Sequence, residues 1–445
     1  MKIITASLKI KDRRRLYKML PLASLLVVIM LMTAYPSFSQ EKKLIPDGTE
    51  GEFHEVIDST HAKKKRKILR TTFDLGFTTL KIGAGLILDY TAFSQDEEGK
   101  KQMDSANVEL KNGFDVRDYR VLISGKFKTK RTITWKAGFM YDGAQDAWFI
   151  RETGLMVDVP ELWSHFFIGR TKEGFSLSKV QVGHAGELME RHMALEPIPI
   201  LADGVKWLGF LPKQHIVWNI GVYTNWLSKE ESFSTYKTQF IARIGWLPIY
   251  SEPTKTNLHI GVNIRLAQPD DDNIRIRARP EVGRPGAYFI DSGEFPTNES
   301  THFGGEIYYS SAPWFFGSEY YWHKFHSTAK DNPVFNGGEV EAGYMFTGES
   351  HPYNTVSGIY GFVPVKKSVF KGGPGAWEVL VRFSTFDLDD GLIQGGKFWK
   401  LTAHANWYLS PVVRFELGYG YGTLDRFNMK GVTQFFQSRL QLSIL

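Results

Sequence analysis

The segment WKLTAHANWYL, residues 399–409, alternates apolar and polar residues without interruption. Side chains in a β-strand point to opposite faces in turn, so each kind of residue has a face of its own. The apolar face carries Trp399, Leu401, Ala403, Ala405, Trp407 and Leu409, and the other carries Lys400, Thr402, His404, Asn406 and Tyr408. A strand of about ten residues with aromatic ends, apolar towards lipid and polar towards a lumen, is typical of a membrane-spanning barrel.

The same alternation recurs in distant parts of the chain, at residues 132–141, 258–266 and 413–421. From residue 71 onwards the composition nowhere resembles a linker. At roughly 20–24 residues for a strand and its connection, this length accommodates about 16 strands. The sequence therefore predicts an all-β fold, a transmembrane antiparallel β-barrel of about 16 strands over residues 71–445.

The N-terminus has the pattern of a cleaved secretory signal peptide. Basic residues precede an apolar run over Leu20–Met32, and small residues follow it up to Ser39. The run is too short to cross a bilayer. We therefore expect residues 1–39 to direct export and residues 40–70 to form a periplasmic linker. Export without an anchoring helix suits a protein of the outer membrane of a Gram-negative bacterium.

The formal net charge of +6 arises from the first 39 residues. They hold seven basic side chains and one acidic side chain, and removing them from totals of 54 and 48 leaves 47 of each. The exported chain is thus neutral overall, which gives no reason to expect a nucleic-acid partner. The sequence also lacks cysteine, which excludes disulfides and thiolate metal sites. We expect no cofactor and no metal site.

Several further segments are characteristic in combination. They are residues 375–421, with an aspartate-rich turn and a glycine pair between two strands, EAGYMFTGES at 341–350, RIRARPE at 275–281, GFDVRDYRVLISGKF at 113–127 and IGRTKEGFSLSK at 168–179. Together they resemble the phosphate-selective porin O and P family, and they are spread over nearly the whole exported chain. The resemblance implies a homotrimer of 16-stranded barrels, each with a loop folded inward at mid-height.

Arg275, Arg277 and Arg279 stand at spacing two, separated by small or aliphatic residues. In an extended segment their guanidinium groups share one face, and each has a planar fork that matches phosphate or carboxylate oxygens. A row of such groups offers a permeating anion successive sites. The family resemblance implies an arginine ladder, and this segment is its best position. The alternative is that these arginines pair with the acids at 270–272 or with Glu281.

Strand parity turns further cationic side chains towards the lumen: Arg120, Lys126, Arg243 and Arg265. Residues 172–204 break the alternation, and Lys172, Lys179 and Arg191 are our candidates for lining a constriction loop there. His184 and Glu187 in the same segment could share one helical turn and bind a metal. For His184 and Glu187 we favour the interpretation that they line the constriction loop.

These patterns favour an outer-membrane porin that allows passive diffusion of small hydrophilic solutes. The more specific expectation is that the porin prefers anions such as phosphate. A non-conducting binding or adhesion barrel, with its function in long outer loops, is one alternative, although the outer loops expected at Asp291–Thr301 and Asn354–Pro374 are only moderate in length. A barrel enzyme is the other, but parity locates no catalytic cluster. The expected partners are solutes, outer-membrane lipid and the outer-membrane assembly machinery.

Overall fold

The computed structural model describes residues 72–143, 145–229, 231, 234–284 and 286–444 of the 445-residue chain. The predicted signal peptide and the predicted linker lie outside these residues and stay predictions. Among the residues described, no helix is both long enough and apolar enough to cross a membrane.

Sixteen long strands, β1 to β16, follow one another along the chain. Their bounds are Thr79–Gln95 (β1), Gly113–Phe127 (β2), Ile133–Asp142 (β3), Ala147–Val159 (β4), Ser164–Thr171 (β5), Ala202–Leu211 (β6), Ile216–Thr224 (β7), Tyr236–Ser251 (β8), Thr256–Pro269 (β9), Ser300–Ser311 (β10), Trp314–Phe325 (β11), Val334–Met345 (β12), Ala376–Asp390 (β13), Ile393–Ser410 (β14), Val413–Arg426 (β15) and Met429–Ile444 (β16). Each strand pairs antiparallel with the next, and β16 pairs with β1, so the sheet closes on itself. The predicted barrel and its strand count are confirmed.

Burial along these strands is the reverse of that in a soluble protein. On β14, His404 is 5% exposed, whereas Leu401, an apolar residue of the other face three positions earlier, is 46% exposed. Val262 on β9 is 63% exposed, while the adjacent Asn263 is buried. An apolar exterior meets lipid and a polar interior lines the lumen, so the alternation seen in the sequence is the wall of the barrel.

The connections at the two ends of the barrel differ in length. At the end where β1 begins and β16 ends, all but one of the connections have two to five residues. At the other end, several connections have between 11 and 30 residues. Outer-membrane barrels have short periplasmic turns and longer extracellular loops, which identifies the first end as periplasmic.

Short elements occur within these connections. They are the helices α1 (Glu97–Ser105) and α2 (Leu177–Val180), the 3₁₀ helices Pro160–Leu162, Met193–Leu195, Thr328–Lys330 and Val369–Lys371, and the short strands Thr72–Asp74, Asn273–Ala278, Ile290–Pro296, Tyr353–Asn354 and Ile359–Tyr360. Helix α1 begins after Asp96, whose carboxylate accepts a hydrogen bond from the backbone N–H of Gly99 and so caps the helix.

Two long outer connections enter the lumen. Loop L3, residues 172–201, follows β5, and loop L5, residues 270–299, follows β9. L3 crosses the barrel, because its Ser176 binds Glu319 on β11 while its Glu190 binds Arg439 on β16. L5 forms a hairpin of its two short strands, whose apolar side chains pack inside the outer mouth of the barrel.

The exceptional periplasmic connection, residues 346–375, also enters the lumen, and we call it the periplasmic insert. The Tyr353 hydroxyl lies 2.7 Å from Nδ1 of His259 on β9, and Arg243 on β8 donates to the carbonyl of Gly358 at 2.7 Å. Gly358 has a φ of +66°, which a side chain would strain. The sequence suggested an outer loop at residues 354–374, which was wrong because alternation alone did not fix how many strands precede this segment.

Candidate functional site

A cavity of about 580 Å³ lies in the lumen between L3, L5 and the barrel wall. Its cationic lining consists of Arg117, Arg120, Arg151, Lys179, Arg191, Arg277, Arg279, Arg382 and Arg439. Its acidic lining consists of Asp118, Asp142, Glu187, Glu190, Glu196, Glu281, Glu339 and Glu341. The two signs are nearly balanced in number, so their positions decide what a solute encounters.

Four of the arginines form what we call the arginine wall: Arg117, Arg120, Arg151 and Arg439. They project from β2, β4 and β16, which are close together because β16 pairs with β1 and β1 with β2. Ile87 lies opposite Asp118, and Leu88 lies opposite Val116, which makes Arg117 the extra residue of a β-bulge. A bulge re-aims side chains, and this one brings Arg117 to the cavity next to Arg120.

The arginine wall is held by carboxylates on three elements. Arg439 binds Asp89 on β1 at 2.6 Å and Glu190 of L3 at 2.7 Å. Arg117 binds the same Glu190 through two hydrogen bonds of 2.9 and 3.1 Å. Arg120 binds Asp118 on its own strand. These bidentate, charge-assisted contacts fix where the guanidinium groups lie at the edge of the cavity.

On the opposite side lies what we call the glutamate wall: Glu306 on β10, Glu319 on β11, and Glu339 and Glu341 on β12. In a ring of sixteen strands, β10 is half a circumference away from β2. Glu306 is directly opposite Glu319, and Glu319 is directly opposite Glu339, in the strand register. Like charges placed directly opposite one another destabilise a sheet, so other groups have to compensate them.

L3 supplies much of that compensation. The backbone N–H of Leu177 donates to Glu306 at 2.9 Å. Glu319 accepts from the Ser176 hydroxyl at 2.6 Å and from the backbone N–H of Ser178 at 2.9 Å. Beneath this cover Glu306 and Glu319 are not part of the cavity lining, whereas all four residues of the arginine wall are. L3 thus hides part of the negative wall and leaves the positive wall facing the cavity.

The L5 hairpin has the alternation predicted for the three spaced arginines. Residues 274, 276 and 278 are buried in an apolar cluster at the outer mouth, and the arginines lie on the other face. Arg277 and Arg279 line the cavity, and the Arg277 guanidinium lies 4.2 Å from the ring centre of Tyr288. Arg275 lies outside the cavity lining and binds Asp291 at 2.5 Å, a different acid from those considered in the sequence.

The arginines and lysine predicted from strand parity lie elsewhere. Lys126 is exposed near the periplasmic end of β2. Arg243 is buried against Glu306 and the periplasmic insert. Arg265 binds Glu173 at 2.7 Å, and its guanidinium lies 4.1 Å from the ring centre of Tyr236. Of the predicted parity residues, only Arg120 lines the cavity.

Two of the three L3 candidates line the cavity. Burial lowers the pKa of Lys179 to about 8 and that of Arg191 to about 10. Lys179 donates to the carbonyl of Leu195 at 3.2 Å, and Arg191 donates to backbone carbonyls of the same loop. Lys172, the first residue of L3, is buried outside the cavity lining and donates to the carbonyls of residues 180 and 181 in the same loop.

The structure does not join His184 and Glu187 into the metal site weighed in the sequence. His184 lies 2.6 Å from the hydroxyl of Ser443, and burial lowers its pKa to about 3. Glu187 accepts hydrogen bonds of 2.8 and 3.0 Å from Gln181. Both residues belong to the packing of L3 against the wall.

Three members of the arginine wall were missed in the sequence. Arg439 could have been predicted from strand parity. Even-numbered residues form the apolar face of β16, so the odd-numbered Arg439 faces the lumen. Arg117 was hidden by the bulge, although the apolar positions change phase between Val116 and Tyr119. Arg151 also lies at a register shift, where two residues of β4 face one residue of β3. A change of phase within an alternating segment is therefore the signal to look for.

Comparison with known proteins agrees with this architecture. Residues 81–444 match the family described as phosphate-selective porin O and P. A protein of Caulobacter vibrioides described as uncharacterized is 32% identical over 169 residues, which cover 37% of this chain and 34% of that protein. The matched region thus spans about a third of that relative's length.

Solved structures with the same fold are outer-membrane proteins. OmpT of Vibrio cholerae, in vitro folded and in its trimer form, has a TM-score of 0.52 at 10% identity, covering 82% of this chain and 99% of that one. The outer membrane channel DcaP of Acinetobacter baumannii has 0.51 at 9% identity, covering 83% and 98%. The anion-selective porin from Comamonas acidovorans has 0.50 at 8% identity, covering 82% and 99%. The family match and this fold support the coarser prediction of an outer-membrane channel.

Proposed function

The chain belongs to the phosphate-selective porin O and P family, and from the geometry of its lumen we propose that it lets small hydrophilic solutes diffuse passively across the outer membrane with a preference for anions. The observation that carries the preference is the unequal cover of the two walls. L3 hides Glu306 and Glu319 but leaves the arginine wall at the cavity.

Arginine suits this role physically. Its charge is permanent, and its planar fork matches the oxygens of phosphate and carboxylate. At about 4 Å in bulk water, one unit charge attracts another by about 1 kcal/mol, and the attraction is stronger near protein of lower effective dielectric. Several such groups around one cavity concentrate anions there, and release remains possible because Arg117 and Arg439 are already paired with acids.

Arg277 and Arg279 extend the positive surface towards the outer mouth. They stand on L5, above the cavity, with their apolar neighbours anchored in the mouth cluster. An anion that enters from outside would meet these two side chains before the arginine wall. This order would give successive sites along one path, and it differs from the ladder expected at Arg275, Arg277 and Arg279 because Arg275 lies outside the cavity lining.

The remaining parts of the proposal concern location and assembly. We propose that residues 1–39 direct export, that the apolar exterior contacts outer-membrane lipid after insertion by the assembly machinery, and that three copies associate. The trimer form named for the Vibrio cholerae protein supports the last point by analogy. Passive diffusion needs no cofactor.

Planar-bilayer recording tests the proposal. Purified protein should give stepwise conductance, and in a potassium chloride gradient the reversal potential should have the sign of chloride preference. Added phosphate should reduce the chloride current by competing for the arginines. Folded protein that never conducts would refute the channel, and a cation-selective reversal potential would refute the preference alone. Either outcome also separates a porin from a non-conducting adhesion barrel.

A further inference from the structure

The glutamate wall contains more negative charge than L3 compensates by backbone contacts. Glu306, Glu319 and Glu339 form a row across three adjacent strands, each directly opposite the next. Glu306 forms an ion pair with Arg243 at 2.6 Å and lies 2.7 Å from Nε2 of His259. Among the described residues, neither of the other two has an arginine or lysine of its own, since Arg382 binds Glu281 at 2.5 Å and reaches Glu339 only at 3.4 Å.

His192 of L3 points between these two carboxylates. Its Nε2 lies 3.1 Å from Oε2 of Glu319 and 3.9 Å from Oε1 of Glu339. The three donor atoms all lie within 4.8 Å of one another, and all three residues are buried. The imidazole ring is stacked on Tyr321 at an interplanar angle of 6°, which fixes its orientation.

We propose that His192, Glu319 and Glu339 bind a divalent cation of the Zn²⁺ type. Zinc binds imidazole nitrogen and carboxylate oxygen at about 2.0–2.2 Å, so tetrahedral ligand atoms stand about 3.4 Å apart. The observed separations of 3.1 and 3.9 Å bracket that value. One imidazole and two carboxylates also neutralise the charge of the ion. Magnesium and calcium prefer sites made only of oxygen, so the histidine selects against them.

A second observation concerns access to this position. Both His192 and Glu339 line the cavity, so an ion can reach them from the lumen. Three protein ligands are available within 4.8 Å of one another, and a water from the cavity can supply the fourth. The ion would tie L3 to β11 and β12, so the site would fasten the constriction to the wall.

Isothermal titration calorimetry with zinc chloride tests this inference on the full folded protein without a polyhistidine tag. We expect one site per chain. Loss of an outer-shell partner already weakens metal binding by about 10- to 100-fold, so His192→Gln and Glu339→Gln should each weaken it at least tenfold. His326→Gln is the control, because that histidine is exposed on the connection between β11 and β12. Magnesium chloride should give no binding heat.

Heat-modifiable migration in gel electrophoresis checks that each variant is folded, and His192→Ala provides a second substitution if His192→Gln folds poorly. Wild-type protein that gives no zinc-binding heat would overturn the site. So would zinc binding that survives both His192 substitutions, because the ion would then bind elsewhere. The measurement requires no current, so it remains informative even if the barrel fails to conduct.

Discussion

The arginine wall and the glutamate wall stand half a barrel apart, and L3 meets them in different ways. On the glutamate wall, L3 covers two carboxylates with backbone N–H groups and the Ser176 hydroxyl. On the arginine wall, it offers the carboxylate of Glu190, which binds two guanidinium groups at their edges and leaves them at the cavity. A loop can therefore bias the charge of a lumen by the wall it covers, even where acidic and basic side chains are equal in number, as they are after residue 39.

The largest expected effect comes from removing the arginine that joins L3 to the wall. In Arg439→Gln, Asp89 and Glu190 lose a buried guanidinium group that now lies 2.6 and 2.7 Å away. Breaking a buried ion pair typically costs about 3–5 kcal/mol, and we expect unfolding in detergent, followed by tryptophan fluorescence, to show a loss of that size. Lys397→Gln is the control, because its pair with Asp387 is exposed and should contribute under about 1 kcal/mol. If both variants lose the same amount of unfolding free energy, the ion pairs of Arg439 with Asp89 and Glu190 do not stabilise the arginine wall.

The next effect concerns selectivity along L5. The double variant Arg277→Gln/Arg279→Gln removes two charges that line the cavity and should lower the anion-to-cation permeability ratio by about five- to tenfold. Arg275→Gln is a matched control from the same strand, because this residue binds Asp291 outside the cavity. Reversal potentials in a salt gradient measure both. If the control shifts the ratio as much as the double variant, distance from the cavity does not matter and the comparison fails.

A third experiment asks whether the cover by L3 works as described. Glu341→Gln removes an acid at the cavity and should raise the anion preference by about two- to fivefold. Glu306→Gln removes a covered acid, so the reversal potential should stay where it is while Arg243 loses its carboxylate and the barrel loses stability. A shift of selectivity in Glu306→Gln would mean that the covered wall still acts on permeating ions.

The smallest effect is the titration of Lys179. Burial lowers its pKa to about 8, so the side chain is mostly charged at pH 7 and mostly neutral at pH 9. The anion preference should therefore fall by about twofold over this range, since a single positive charge leaves the cavity. Arg191, with a pKa of about 10, keeps its charge there. In Lys179→Arg the reversal potential should be nearly independent of pH, and an undiminished pH response in that variant would assign the titration to another group.

The barrel was predictable because its signal is local. Alternation on segments such as residues 399–409 reports which side chains face lipid, and the length of the chain sets the number of strands. Alternation does not show whether a given strand runs towards the periplasm or towards the outside. That direction requires an unbroken count from the first strand, and the alternation breaks over residues 172–204, where L3 separates β5 from β6. The misplacement of residues 354–374 follows from that gap.

The candidate site was predictable only in part, because contacts across the lumen have no counterpart in local sequence. Spacing placed Arg275, Arg277 and Arg279 on one face, but it could not show that the segment belongs to L5 or that Arg275 is bound by Asp291. Parity found Arg120 and failed at Arg117, where one extra residue changes the phase. The cover of Glu319 by L3 joins residues 141 and 143 positions apart, a pairing that only the folded chain determines.

The contact of Glu190 with both Arg117 and Arg439 has a consequence for how the molecule assembles. Asp89 and Arg439 lie 350 positions apart, and their strands form the seam at which the sheet closes. Contacts between such distant residues are slow to form, since the intervening chain must first be ordered. The last strand gains its ion pair with L3 as it gains its partner strand, so docking of the loop and sealing of the seam become one cooperative step. A chain that fails to seal and a channel that loses its constriction would then be two symptoms of the same folding defect.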